Sequence, residues 1–105
     1  MFARVTLVEL DIVRMSPADA LEHFRQHTLP ALRQQAGYEG AEVFATSEGK
    51  GMIVTFWQSE ADAEAGLASG FYDEQIAQFL LVLRQPPGRE YYELLLRDAV
   101  STATV

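Results

Sequence analysis

His23 and His27 stand four residues apart, a spacing that puts both imidazoles on one side of a helix, as a two-histidine metal site would use. No third ligand accompanies them, and the chain contains no cysteine, which excludes thiolate metal sites, cysteine nucleophiles and disulfides. No metal site is predicted. An imidazole titrates near neutral pH, so His27 is a candidate general acid or base, with packing at the helix edge as the equal alternative; His23 reads as a surface residue. Tyr72, just after Gly70 at the start of a helical segment, is the second catalytic candidate. Arg4 and Thr6 share one face of a strand, where Arg4 either holds an anionic group of a substrate or pairs with an acid of the last strand. Trp57 either contributes to a binding site or is a core residue whose indole N–H finds a backbone acceptor. Arg4, Thr6, Phe24 and Trp57 are the substrate-binding candidates.

These residues need a scaffold, and the local patterns predict one. Val5, Thr6, Leu7 and Val8 favour a strand over 2–10. Ser16-Pro17-Ala18-Asp19 then offers a capping hydroxyl, a proline where a missing N–H costs nothing, and an acid at the positive end of the dipole. In the helix that follows, Leu21, Phe24, Thr28 and Leu32 recur at spacings of three and four, which assigns them the inward face. Pro30 lies within this pattern and predicts a kink near His27. Gly37 serves as a left-handed cap. Strands are predicted over 38–47 and 52–58, joined across Glu48-Gly49-Lys50-Gly51. A second helical region starts at Ser59, is interrupted by Gly66 and Gly70, and resumes with the stripe Phe71, Ile76, Phe79, Leu80 and Leu83. Gln85-Pro86-Pro87-Gly88 ends it, 89–97 reads as the fourth strand, and 98–105 as a loose tail. The fold class is α+β, a ferredoxin-like β-α-β-β-α-β domain spanning 1–97 with a four-stranded antiparallel sheet.

At 105 residues the chain has room for a single hydrophobic core. Hydrophobic residues make up 49% and charged residues 22%, far from the signature of disorder. A net charge of -7 repels phosphate backbones and anionic lipid, so neither nucleic acid nor a membrane is an expected partner. No secretion signal or spanning segment is legible, and with no cysteine the reading is a cytoplasmic protein.

The strands also predict an oligomer. Ile53, Thr55 and Trp57 point one way and Met52, Val54 and Phe56 the other, while Tyr91 and Leu95 oppose Tyr92, Leu94 and Leu96. Two helices can cover one face only, so the second apolar face calls for a cover, and a second copy related by a two-fold axis is the simplest one. The expected partner is therefore another copy of the chain, in a homodimer joined through the sheet faces. The alternative is a monomer with a few exposed aromatics.

The element order, the run Phe24-Arg25-Gln26-His27-Thr28-Leu29-Pro30-Ala31-Leu32, the Gly37-Tyr38-Glu39-Gly40 approach to the second strand, and Val54-Thr55-Phe56-Trp57-Gln58-Ser59 together resemble the antibiotic-biosynthesis monooxygenase superfamily over nearly the whole chain. The resemblance implies a dimeric α+β barrel with a small-molecule pocket in each subunit between sheet and helices. It further implies a cofactor-independent monooxygenase, or an isomerase, acting on a small aromatic or carbonyl compound, with no cofactor. Its alternative is a non-catalytic dimer that binds a small ligand or serves a stress or regulatory role, favoured if Phe24, Phe71, Phe79 and Leu83 fill the pocket. Cofactor-free oxygenases of the superfamily use Asn, Trp, Tyr and Arg side chains on a phenol or hydroquinone. Trp57 and Tyr72 match two of these roles, and this chain has no asparagine. The haem-degrading branch uses an Asn, a Trp and a His, and where its helix would carry the last two this chain has Gly66 and Ile76.

Overall fold

The structure, a computed structural model, describes residues 1–100. The β-branched run near the N-terminus forms strand β1 (Phe2–Glu9), which lies inside the sheet. Strand β3 (Lys50–Trp57) flanks it on one side and β4 (Gly88–Glu93) on the other, while β2 (Tyr38–Ala45) pairs with β3. All pairings are antiparallel and the order is β2-β3-β1-β4, the α+β ferredoxin-like arrangement. The register sets Arg4 opposite Thr55 and Tyr91, and Thr6 opposite Ile53 and Arg89. The β2–β3 reversal, 46–49, has the expected length but lies two positions earlier in the chain, because Gly49, at φ +100°, closes the turn and lets pairing resume at Lys50.

Helix α1 (Pro17–His23) begins where predicted, with Ser16 Oγ accepting the Asp19 N–H at 3.1 Å. The kink expected near His27 takes the form of a π turn, Phe24–Thr28, leading into α2 (Leu29–Leu32). Pro30 has no N–H to give and its ring crowds the preceding turn, so the helix widens and the Leu29 N–H bonds the Phe24 carbonyl. Gly37 adopts φ +78° and packs against Asp62, where a side chain would collide.

Helix α3 (Glu60–Ala68) is capped by Ser59, whose Oγ accepts the Asp62 N–H at 3.1 Å. The expected interruption at Gly66 does not occur. Gly66 is an ordinary buried turn of α3, and the break falls at Gly70 alone, whose φ of +84° starts α4 (Phe71–Ala77) on a new axis. A 3₁₀ turn, Leu80–Val82, follows, and Leu83 bridges to Leu10. The fourth strand is also shorter than the predicted 89–97. Its partner β1 runs out at Phe2, opposite Glu93, and after the Leu94 N–H reaches the Met1 carbonyl the chain leaves the sheet with Leu95 and Leu96 exposed. Of the tail expected over 98–105, residues 98–100 have no regular structure and 101–105 lie outside the described residues.

The core sits where the helices cross the sheet. Phe24, Leu32, Trp57 and Ala63 form its buried centre, with Phe2, Tyr38, Ile53 and Phe79 packed around them. Among the described residues no helix is long and apolar enough to cross a membrane.

Candidate functional site

Strand alternation brings Arg4, Thr6 and Thr55 to the helix-covered face, and the break at Gly70 brings Tyr72 down onto them. Together they form the deep end of a largely apolar cavity of about 330 Å³ between sheet and helices. Phe24 and Thr28 of the π turn form its roof, and the exposed residues Leu21, Val43 and Lys50 mark its mouth. The large side chains that could have plugged this space, Phe24, Phe71, Phe79 and Leu83, line it instead.

Arg4 dominates the electrostatics. Its relative exposure is 2%, and its guanidinium lies 4.7 Å from the centre of the Tyr72 ring and 5.2 Å from that of Trp57, within cation–π range of both. Nη1 donates to the Ala63 carbonyl at 3.1 Å, a single bond from a group with five N–H donors. Among the described residues no carboxylate pairs with it. Neither acid of β4 supplies the alternative ion pair: Glu90 stands opposite Val5 and belongs to the other face, and Glu93, although on the face of Arg4, stands opposite Phe2 at the exposed end of the strand. Burial lowers the Arg4 pKa from the ordinary guanidinium value, partly offset by the nearby phenol oxygens of Tyr91 and Tyr72, and the group remains a cation at neutral pH. The Tyr91 hydroxyl is buried and, although near enough to Arg4 to favour its charge, makes no hydrogen bond of good geometry.

Tyr72 is held by a 3.1 Å hydrogen bond between its hydroxyl and Thr6 Oγ1, in which either oxygen can donate. Arg89 places a second guanidinium 5.1 Å from the same ring, so the phenol is flanked by two cations. Of the residues singled out from the sequence, Arg4, Thr6, Phe24 and Tyr72 converge on the cavity.

Trp57 and His27 do not. Trp57 is fully buried behind Arg4, and its Nε1 donates at 2.9 Å to the Thr55 hydroxyl rather than to a backbone carbonyl. Trp57 and Thr55 share one face of β3 at the strand period of two, and the Thr55 hydroxyl in turn donates across the strands to the Arg4 carbonyl at 3.5 Å. His27 is exposed and absent from the cavity wall, because the widened π turn carries it to the outer surface. Its ring lies 4.5 Å from that of His23, whose Nε2 bonds Gln78 Oε1 at 2.9 Å, so the pair bridges α1 to the end of α4 outside the cavity. Sequence reasoning passed over Thr28, Thr55, Arg89 and Tyr91 as site residues. Thr55 and Tyr91 are the cross-strand neighbours of Arg4, a signal that exists once the register is known.

The arrangement defines a class: a ferredoxin-like α+β domain with a ligand-sized cavity, one buried cation and a hydroxyl pair between sheet and helices. No protein-family model and no curated protein sequence matches the chain. Solved structures match it closely in shape. SnoaB, a cofactor-independent oxygenase from Streptomyces nogalater, superposes with a TM-score of 0.73 at 10% identity, covering 91% of this chain and 94% of that one. A monooxygenase from Streptomyces coelicolor in complex with nanaomycin D gives 0.67 at 18% identity over 97% and 92%. A protein of unknown function from Nitrosomonas europaea gives 0.72 at 21% identity over 95% and 94%. The chain thus shares the fold of the antibiotic biosynthesis monooxygenase structures.

Proposed function

We propose that the chain is a cofactor-independent oxygenase of a small phenolic or enolisable carbonyl compound, working in the cytoplasm as a homodimer with its sheets face to face. The observation that carries this reading is Arg4, a buried cation without a carboxylate partner on the wall of an apolar cavity. A phenol bound there is stabilised as its phenolate, because a cation in a low-dielectric site favours the developing negative charge. The phenolate is electron-rich enough to reduce dioxygen. One oxygen atom becomes a carbonyl on the ring, and the other leaves as water with the ring hydrogen and the phenolic hydrogen, giving a quinone without any added reductant. Tyr72 and Thr6 would orient the substrate oxygen and pass its proton. Trp57, through Thr55 and Arg4, acts as a positioning residue.

No His, Asp or Glu side chain is among the described residues lining the cavity, so the substrate must ionise readily by itself. The same feature supports a second reading, a dimer that binds such a compound without converting it. Isomerisation through an enolate would use the same cation and consume no oxygen. Purified protein incubated with anthrone in an oxygen electrode separates oxygenation from the other two. Oxygenation predicts one dioxygen consumed per anthraquinone formed, with Arg4→Met lowering the rate roughly 100-fold. The Arg4→Met variant should be as stable as the wild type to within about 1 kcal/mol, since replacing a buried ion by an apolar side chain of similar size is often neutral or stabilising. Binding without oxygen uptake favours the ligand carrier or the isomerase, and the absence of both binding and oxygen uptake with anthrone and other phenols ends the oxygenase reading.

A further inference from the structure

Resting on the reading that the cavity takes an aromatic anion at Arg4, we propose that the ligand also carries an unbranched apolar chain, which runs from the ring along β1 towards the mouth. The floor of the cavity is built in rows across the strands. Thr55 and Arg4 face each other in the first row, Val43, Ile53 and Thr6 share the second, and Ala45, Gly51 and Val8 share the third. Polarity falls from row to row, from a cation beside a hydroxyl to nothing but small and apolar groups. Successive rows lie two residues apart, so at about 3.3 Å per residue the third stands roughly 13 Å from the first.

The third row is left low. A Cβ on Gly51 would come within 2.8 Å of Val8 Cγ2, so β3 raises no side chain there, and Ala45 raises only a methyl. Leu10, Leu21 and Leu83 are also on the wall. Lys50, at the mouth, alternates with Gly51 along β3 and so turns its side chain to the opposite face of the sheet. Among the described residues, Arg4 is thus the one charge on this floor. A single aromatic ring held at Arg4 covers the first two rows and leaves the third bare. A chain that continues past Thr6 buries that surface, and each methylene it buries tightens binding roughly fourfold. The ligand class is an aromatic acid or phenol with a straight alkyl substituent opposite its acidic oxygen.

The test titrates 1-naphthoate, which has no chain, the straight series 4-ethyl-, 4-butyl- and 4-hexylbenzoate, and the branched 4-tert-butylbenzoate calorimetrically into wild type, Ala45→Phe and Arg4→Met. In wild type each step along the straight series should tighten binding roughly tenfold. The branched isomer holds as many carbons as 4-butylbenzoate but stops short of the third row, and should bind several-fold more weakly. Ala45→Phe fills the third row and should lose most of the gain from ethyl to hexyl; Ala45 is exposed, and the wild-type series decides the matter by itself should that variant fail to fold. Arg4→Met should weaken every probe alike. The inference is overturned if affinity is flat along the straight series, if the branched isomer binds as tightly as the straight one, or if a folded Ala45→Phe keeps the full gain. If neither 1-naphthoate nor any benzoate binds wild type, or if all bind Arg4→Met equally well, the anion reading of the cavity fails first and takes this inference with it.

Discussion

The two faces of the sheet are built from alternate residues of the same strands, yet they do not divide polarity in the usual way. The face under the helices sets Arg4, Thr6 and Thr55, all buried, among the apolar Phe2, Ile53 and Trp57. The uncovered face carries Ala3, Val5, Val54 and Phe56, with Leu7 at 41%, Phe44 at 49% and Tyr92 at 52% exposure. A sheet built for stability alone would place its apolar residues under the helices and its polar ones in water. The difference teaches that each face answers a different demand. Buried polarity marks the cavity, and exposed apolar surface calls for a cover, which the proposed second copy would supply.

The largest expected effect strikes the covered face where it does structural work. Trp57 is fully buried, packs edge-on to Tyr38 and underlies Arg4, so Trp57→Ala should cost about 3–5 kcal/mol in urea unfolding through the cavity it leaves. A loss below about 1 kcal/mol would mean that the polar face is less tightly packed than its burial indicates. The next effect targets the uncovered face. Val54 lies half-buried on β3, near the middle of that surface. Val54→Glu would set two carboxylates into the proposed interface and should weaken dimerisation by roughly 100-fold or more. Sedimentation should then report a dimeric wild type and a monomeric variant that still binds aromatic anions at Arg4. A monomeric wild type would refute the assignment of the partner.

Much of this was legible in the sequence, for identifiable reasons. Strand identity, both serine caps and the double-sided apolar pattern of β3 follow from local chemistry, and local chemistry prevailed. The site was half legible. Arg4 and Thr6 alternate onto one face by the strand period, and Tyr72 follows the glycine that re-aims the chain. His27 was misplaced because the helical period of 3.6 was carried through a π turn, where each residue advances by a smaller angle and the outer face drifts. Thr28 falls on the inward stripe and is buried there, but that its hydroxyl reaches no carbonyl is a property of the turn geometry. The end of β4 was overrun because Leu94, Leu95 and Leu96 look like strand, and only the length of β1 decides where pairing stops.

The smallest effects concern the two glycines that the sequence grouped together and the structure separates. Gly70 holds φ +84° with nothing within 4 Å of where a Cβ would stand, so Gly70→Ala meets no clash and pays only for the left-handed backbone, about 1–2 kcal/mol. Gly66 is a regular helical residue, and its added Cβ would rest 3.7 Å from Arg4 Nη1 and from Phe71 Cδ1, ordinary contact distances. Gly66→Ala should therefore stabilise α3 by up to about 1 kcal/mol through helix propensity alone. The two signs, read as opposite shifts in the urea midpoint, distinguish a glycine that sets the direction of α4 from one that merely leaves room beside the cation. If Gly66→Ala instead destabilises while binding of 1-naphthoate weakens, the close approach of α3 to Arg4 is itself part of the site, and the cation is positioned from the helix side as well as from the sheet.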